Sequence, residues 1–193
     1  MAMNAQIHEV GIFVGGINYI GDVGLTNYIS PNKPAIGILW KWNKSSRHSY
    51  RISYTQSKIT ANDLDSNEPS RYGRKYHFEN NIKEVSLGLE FNFFDFRLID
   101  FRSKFTPYIY SGLIGFITDN EKKGKAAIPM IIGVKSNINS GIIIGLETGF
   151  RYAFSDNLDK DKSIGNTNNN DWYVFTGLTV TYTLRNRPCH CGK

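Results

Sequence analysis

The chain has 193 residues, of which 40% are hydrophobic and 21% charged, and its 23 Lys and Arg residues outnumber its 17 Asp and Glu residues, for a formal charge of +6. This length is enough for one domain with a closed core. No run approaches the roughly 20 consecutive apolar residues of a membrane helix, which excludes a helical membrane protein. The 11 Tyr and 12 Phe residues argue against disorder. A mean hydropathy of −0.35 is typical of soluble proteins, but it also fits a transmembrane β-barrel, because only one face of each strand is apolar.

Apolar residues alternate with small or polar residues in eight segments, which predicts eight strands. Several of the segments reach the roughly 9–11 residues that cross a bilayer as a tilted strand. In chain order the predicted strands are Gln6–Ile17, Ala35–Trp42, Ser49–Thr60, Phe78–Phe93, Phe105–Ile117, Ala126–Ile138, Gly141–Phe154 and Asp171–Leu184. The fifth segment does not reveal its apolar face, since both of its faces are apolar or small.

The two faces of the other strands differ in composition. One face is apolar and carries aromatic residues near the strand ends, as do the interfacial belts of membrane proteins: Trp40, Trp42, Tyr50, Phe91, Phe93 and Tyr182. The opposite face is rich in Gly, Ser and Thr and carries charges of both signs at mid-strand: Arg51, Glu90, Lys135, Glu147 and Arg151. We therefore expect the apolar face to point outward to lipid and the five charges to pair inside a narrow barrel, which has room only for side chains.

Longer and shorter connections alternate along most of the chain. The long connections are Asn18–Pro34, Ala61–His77 and Ser155–Asn170, and the shorter ones are Asn43–His48 and Asn139–Ser140, with Phe94–Lys104 and Thr118–Lys125 in between. Outer-membrane barrels have long loops outside and short turns in the periplasm. The predicted fold is all-β, an eight-stranded antiparallel up-and-down transmembrane barrel with a plugged interior and both termini in the periplasm. A soluble ligand-binding barrel, with its apolar face inside, is the alternative.

The candidate sites for chemistry are weak. The segment Asp63–Glu68 begins like a calcium loop, but Glu68 stands where a Gly is needed and Arg74 where a bidentate Glu belongs. His77 adjoins a loop with Asp63 and Asp65, yet no nucleophile motif accompanies it. We expect no catalytic residue, cofactor or metal site, although an outer-membrane barrel enzyme acting on lipid or peptide stays open as an alternative. The basic residues are dispersed, which argues against nucleic-acid binding.

The two ends of the chain are expected to lie outside the barrel, which we assign to residues 6–184. Residues 1–5 contain no apolar signal region and are interpreted as remnants of a leader or of recombinant expression. Residues 185–193 form a periplasmic tail with Cys189 and Cys191. The pair could close a tight disulfide, bind metal together with His190, form an intermolecular disulfide in an oxidising periplasm, or belong to a disordered end. Three close ligands without a fourth are only a weak signal for a metal site.

Strand-and-turn motifs along most of the chain resemble the PorG-like outer-membrane barrels of the type IX secretion system. The resemblance is weakest over Thr118–Asn170. The motifs that carry it include Glu9-Val10-Gly11-Ile12-Phe13, Asn18-Tyr19-Ile20-Gly21-Asp22-Val23-Gly24, Trp40-Lys41-Trp42-Asn43, Ala61-Asn62-Asp63-Leu64-Asp65, Leu87-Gly88-Leu89-Glu90-Phe91-Asn92-Phe93, Phe105-Thr106-Pro107-Tyr108, Trp172-Tyr173-Val174-Phe175-Thr176-Gly177 and Pro188-Cys189.

The resemblance implies a non-enzymatic subunit that ties a periplasmic ring, built from a PorK-like lipoprotein and a PorN-like protein, to the outer membrane. On this reading the rims of the barrel are its working surfaces. The candidate partner-binding residues are Asp95, Arg97, Asp100 and Arg102 in the turn Phe94–Lys104, and Cys189 and Cys191 in the tail. We hypothesise that one of the two cysteines forms a disulfide with a ring subunit.

Overall fold

A computed structural model describes residues 7–20, 29–62, 77–96, 105–119, 124–139, 141–154 and 172–184. They form eight strands: β1 (Ile7–Ile20), β2 (Lys33–Asn43), β3 (His48–Asn62), β4 (His77–Asn92), β5 (Phe105–Thr118), β6 (Lys125–Asn139), β7 (Ile142–Ala153) and β8 (Trp172–Leu184). Within these ranges there is no helix long and apolar enough to cross a membrane. The predicted number and order of strands is confirmed.

The strands form a closed antiparallel barrel in which each strand pairs with its neighbours in sequence and β8 pairs with β1. Following register partners once around the barrel leads from His8 to Asn18, ten residues further along β1. An offset of this size over eight strands tilts them by about 40° from the barrel axis. The predicted eight-stranded up-and-down barrel is therefore confirmed.

The large apolar side chains of the wall point outward. On β2, Ile36 and Ile38 are each 63% exposed, while Ala35 before them and Leu39 after them are buried. The ring of His8 stacks on Trp40, and Trp42 stacks on Tyr50, close to the end of the barrel where β1 begins and β8 ends. A continuous apolar outer belt with aromatic residues at its edge is typical of barrels that face lipid.

The structure resolves the faces of β5. Tyr108, Tyr110 and Phe116 point inward and are buried, whereas Ile109 and Leu113 face outward. The inward face is aromatic because the tyrosine hydroxyl groups find polar partners inside: Tyr108 donates to Glu147 and Tyr110 to Ser86. Alternation could not separate these faces because the outward face is mainly aliphatic while the inward face is aromatic, so large side chains occupy both.

The two ends of the barrel differ. The terminus-side rim is the end that contains the start of β1, the end of β8, the β2–β3 turn and the β4–β5 and β6–β7 connections; the opposite rim contains the remaining connections. Toward the opposite rim the lumen is filled by buried apolar and aromatic side chains, among them Ile17, Tyr19, Ile82, Tyr173 and Phe175. The charged side chains of the lumen lie mainly on the terminus side of this apolar cluster.

Candidate functional site: the sealed lumen and the terminus-side rim

Eight side chains that ordinarily carry a charge are buried in the barrel among the described residues, four acidic and four basic. The acidic residues are Glu9, Glu84, Glu90 and Glu147, and the basic ones are Lys41, Arg51, Lys135 and Arg151. A charge inside a low-dielectric lumen is costly unless it is paired and hydrogen-bonded. The equal numbers allow each of these charges to be balanced within the barrel.

The larger group is centred on Glu90. Lys41 Nζ lies 2.7 Å and Lys135 Nζ 2.6 Å from the carboxylate oxygens, and Arg51 Nη1 lies 3.8 Å away. Arg51 also donates two bonds to Glu147, at 2.7 and 2.8 Å, in the bidentate geometry that guanidinium and carboxylate groups favour. Five strands are thereby cross-linked through the lumen: β2, β3, β4, β6 and β7.

A second pair lies within the apolar part of the lumen. Arg151 Nη2 is 3.5 Å from Glu84, and its guanidinium group stacks 4.3 Å above the ring of Phe175. Tyr173 donates a 2.9 Å hydrogen bond to the other oxygen of Glu84. The remaining buried acid, Glu9, accepts bonds from Asn43 and Thr181 instead of forming an ion pair.

The structure therefore brings the five charges singled out in the sequence into one interior, with Arg51–Glu147 and Lys135–Glu90 as direct pairs. Sequence reasoning missed Lys41, which is the second cation on Glu90, and Glu84, which is the partner of Arg151. Strand parity could have found both. Lys41 alternates with Trp40 and Trp42, and Glu84 lies two residues before Ser86 on the same face of β4.

Near the terminus-side rim, the β4–β5 connection folds against the β2–β3 turn. Asp95 accepts bonds from Arg47 Nε at 2.9 Å and from Ser46 Oγ at 3.1 Å. The next residue, Phe96, donates its backbone N–H to the Ser46 carbonyl and buries its ring 5.0 Å from Lys135 Nζ, beside Ile143. We call this arrangement of residues 44–47 with 93–96 the rim clasp. It places an aromatic side chain in the mouth of the lumen.

The rim clasp contains one of the six candidate partner-binding residues. Asp95 is half exposed and engaged with Arg47 inside the same chain. Arg97, Asp100 and Arg102 lie outside the described residues, as do Cys189 and Cys191, so the predicted disulfide stays a prediction. Residues 1–5, which we interpret as remnants of a leader or of recombinant expression, and the tail of residues 185–193 also lie outside the described residues.

At the opposite rim, exposed charges pair along the outer surface, beyond the apolar belt. Lys58 Nζ lies 2.6 Å and Lys33 Nζ 3.7 Å from the carboxylate of Glu79. The hydrogen bond from Lys58, reinforced by its charge, holds the pKa of the Glu79 carboxyl below its ordinary value. His77 is exposed at the start of β4, and Asp63 and Asp65 fall outside the described residues.

Groups of three or more His, Cys, Asp or Glu residues that could hold a metal ion are not found in the described ranges. Of the histidines in those ranges, His8 stacks on the outer wall and His48 contacts Ser45 in the rim clasp. The buried carboxylates each contact cations, hydroxyl groups or amides of this chain. These contacts fill the described part of the interior and balance its charges.

Comparison with known families identifies one match over the whole chain. A family model described as "Domain of unknown function (DUF6089)" matches residues 1–193. No curated protein matches the chain.

Solved structures with the same architecture are small outer-membrane barrels. The outer membrane protein AlkL, determined in lipid bilayers, is 11% identical over 98% of this chain and 95% of its own, with a TM-score of 0.51. Neisserial surface protein A is 12% identical over 92% and 94%, with a TM-score of 0.50. OprG from Pseudomonas aeruginosa is 8% identical over 93% and 97%, also at 0.50. At these identities the likeness shows the fold: a closed eight-stranded barrel of the type found among outer-membrane proteins.

Proposed function

Because this chain belongs to the DUF6089 family and has the fold of small outer-membrane barrels, we propose that it is a non-enzymatic subunit of a secretion machine in the bacterial outer membrane. Its barrel spans the outer membrane with the terminus-side rim in the periplasm. Its role is to hold a periplasmic assembly against the membrane.

The filled lumen is the observation that carries this proposal. Glu90 and Glu147 are neutralised by Lys41, Lys135 and Arg51 within the barrel, and an apolar cluster fills the half beyond them. Such a lumen is closed to solutes, and its described carboxylates are engaged by side chains of the same chain. The surfaces on which this barrel would bind partners are consequently its two rims.

The outward apolar wall supports a membrane location over the soluble-barrel alternative. Ile36, Ile38 and Leu113 are each more than 60% exposed, and a soluble protein rarely presents so large a contiguous apolar surface to water. In a bilayer the same residues contact lipid chains, which removes the free-energy cost of exposing apolar surface to water.

The sequence resemblance to PorG-like barrels supports a more specific role. We propose that the terminus-side rim contacts the periplasmic ring of a type IX secretion system, formed by a PorK-like lipoprotein and a PorN-like protein. The contact surface includes the β4–β5 connection with Asp95, Arg97, Asp100 and Arg102, and the tail with Cys189 and Cys191. The rim clasp supports this choice, because it gives the connection a fixed base.

Affinity purification from detergent-solubilised outer membranes tests the role. The tagged protein is expected to co-purify with a lipoprotein and a ring protein in constant ratio. The variant Arg97→Glu/Arg102→Glu should lower the recovery of both at least tenfold, while Arg71→Glu/Arg74→Glu, in the connection at the opposite rim, should leave it unchanged. Recovery of the barrel alone under cross-linking conditions would refute the secretion role.

Non-reducing electrophoresis of native membranes tests the disulfide separately. A slower band that disappears in Cys189→Ser or Cys191→Ser and on reduction is the expected result. Identical migration of wild-type and variant proteins would show that neither cysteine links to a ring subunit.

A further inference from the structure

A groove of about 600 Å³ crosses the outer wall of the barrel. It is lined at one end by Phe93, the first residue of the 93–96 part of the rim clasp, and at the other by Ile29. Between them it follows Ile109, Ile132, Thr148 and Thr176, which are successive register partners across β5, β6, β7 and β8. The groove therefore runs perpendicular to the strands and at a slope across the apolar belt.

The recess comes from two small side chains in a wall of large ones. Thr148 and Thr176 stand at outward positions where the flanking outward residues are Leu146, Phe150 and Leu178. Their hydroxyl oxygens lie 2.8 Å apart, so one hydroxyl group donates to the other. The pair is thus hydrogen-bonded within the wall, and hydrocarbon can cover it without leaving both hydroxyl groups unpaired.

The dimensions of the groove select its occupant. From Phe93, just after β4, to Ile29, whose neighbour Ser30 bonds Asn18 of β1, the groove extends over about five strand spacings, or about 24 Å. This corresponds to about 20 bonds of an extended chain at roughly 1.2 Å per bond. Its volume divided by that length leaves a cross-section of about 25 Å², whereas a helix roughly 10 Å across needs about 80 Å². A single hydrocarbon chain fits within this cross-section, whereas the groove cannot enclose a transmembrane helix.

The charge near one end of the groove indicates the headgroup. Asn92, next to Phe93, donates its backbone N–H to the carbonyl of Arg47, and the Arg47 side chain is 50% exposed and bonds Asp95 through Nε. The segments that join or extend strands at this rim, 44–47, 93–104 and 185–193, contain eight Lys and Arg against two Asp. The corresponding segments at the opposite rim contain seven Lys and Arg against ten Asp and Glu; they are 21–32, 63–76, 119–124 and 154–171. An anionic group is favoured at the Phe93 end.

We propose that this groove binds one acyl chain of an anionic phospholipid, with the headgroup at Arg47. The site rests on the membrane location in the proposed function. It is a binding site on the wall itself, independent of any contact between the terminus-side rim and a secretion partner.

Native mass spectrometry of the full chain tests the site after refolding into bilayers of equal phosphatidylglycerol and phosphatidylcholine and transfer to detergent. The wild type is expected to retain one phospholipid, with phosphatidylglycerol in excess. Thr148→Leu/Thr176→Leu fills the groove and should lower this occupancy at least tenfold. The matched control Ser111→Leu enlarges another outward hydroxyl residue outside the groove and should keep the lipid. Arg47→Gln should keep one phospholipid but lose the preference for phosphatidylglycerol, and Arg47→Lys should retain it.

Equal lipid occupancy in the wild type and the groove-filled variant would overturn the proposal, as would equal loss in Ser111→Leu. A dimer mass that disappears in the groove-filled variant would show that a second copy covers the groove instead. An unchanged lipid preference in Arg47→Gln would overturn the headgroup assignment. Barrel insertion is scored separately by the shift of unboiled protein in gel electrophoresis, so a failure to enter bilayers, which counts against the membrane role, is distinguished from the absence of a lipid site.

Discussion

Glu147 shows how a single residue can connect the two sides of this barrel. It lies on β7 and accepts two bonds from Arg51 on β3, across the lumen, and a third from Tyr108 on β5. Both charged side chains are almost fully buried. A pair of this kind adds little net stability compared with an apolar pair, but the loss of one partner leaves the other charge buried.

We therefore expect Glu147→Gln to lower the free energy of unfolding by about 3 kcal/mol, measured by urea titration in lipid vesicles. The double variant Arg51→Met/Glu147→Leu removes both charges and should recover most of that loss. Equal destabilisation in the single and double variants would show that packing, rather than the unpaired guanidinium group, sets the cost.

Glu79 offers a pH-dependent test outside the apolar belt. Lys58 lowers the pKa of the Glu79 carboxyl in the folded chain, so the pair stabilises the fold above the ordinary carboxyl pKa of 4.5 and loses this effect as the pH falls through the lower folded value. Lys58→Met should return the pKa of the Glu79 carboxyl toward 4.5. This pKa is measured by NMR of the side-chain carboxyl as the pH is varied. Lys33→Met should shift it less, because Lys33 lies 3.7 Å away instead of 2.6 Å. A larger effect from Lys33 would contradict this assignment.

At the scale of elements, the turn between β6 and β7 depends on one backbone geometry. Gly141 has a φ of +108°, which residues other than glycine rarely adopt. Its carbonyl accepts a hydrogen bond from the backbone N–H of Thr183. Gly141→Ala should cost about 1–2 kcal/mol in the same unfolding assay. Gly115→Ala is the matched control, because a Cβ there meets no atom within 4 Å, and it should change stability little. A cost at Gly115 equal to that at Gly141 would exclude the turn geometry as the cause.

The strands also show how much of the fold could be predicted from the sequence. Alternation predicted the eight strands and the outward faces of β1 and β2, because lipid and lumen impose opposite chemistry on successive residues. It failed to assign β5, where the lumen accepts Tyr108 and Phe116 as readily as lipid accepts Leu113. It also missed Phe96, because the rim clasp depends on a contact between two connections that are about 50 residues apart in the chain. The pairing of Lys41 with Glu90 likewise depends on which strands face each other across the lumen.

At the scale of the whole molecule, the filled lumen predicts a barrel without a pore. In planar bilayers the wild-type protein should show no stable current steps. Phe96→Ala opens only the mouth and should stay silent as well, because the apolar cluster toward the opposite rim is unchanged. Stable single-channel steps from correctly inserted wild-type protein would contradict the sealed interior and the function proposed from it.

The pairing of β1 with β8 joins the beginning of the chain to its end. His8 is opposite Leu184, and Ile20 is opposite Trp172, so the eighth strand of the barrel completes the hydrogen bonding of the first. Before that strand arrives, both edges of the sheet would present bare N–H and C=O groups to hydrocarbon, which a bilayer does not tolerate. Partial barrels are thus unsuitable as inserted intermediates, and assembly has to wait for the complete chain. Deletion of residues 172–184 alone should therefore leave a polypeptide that the cell degrades, and it should not give a smaller barrel.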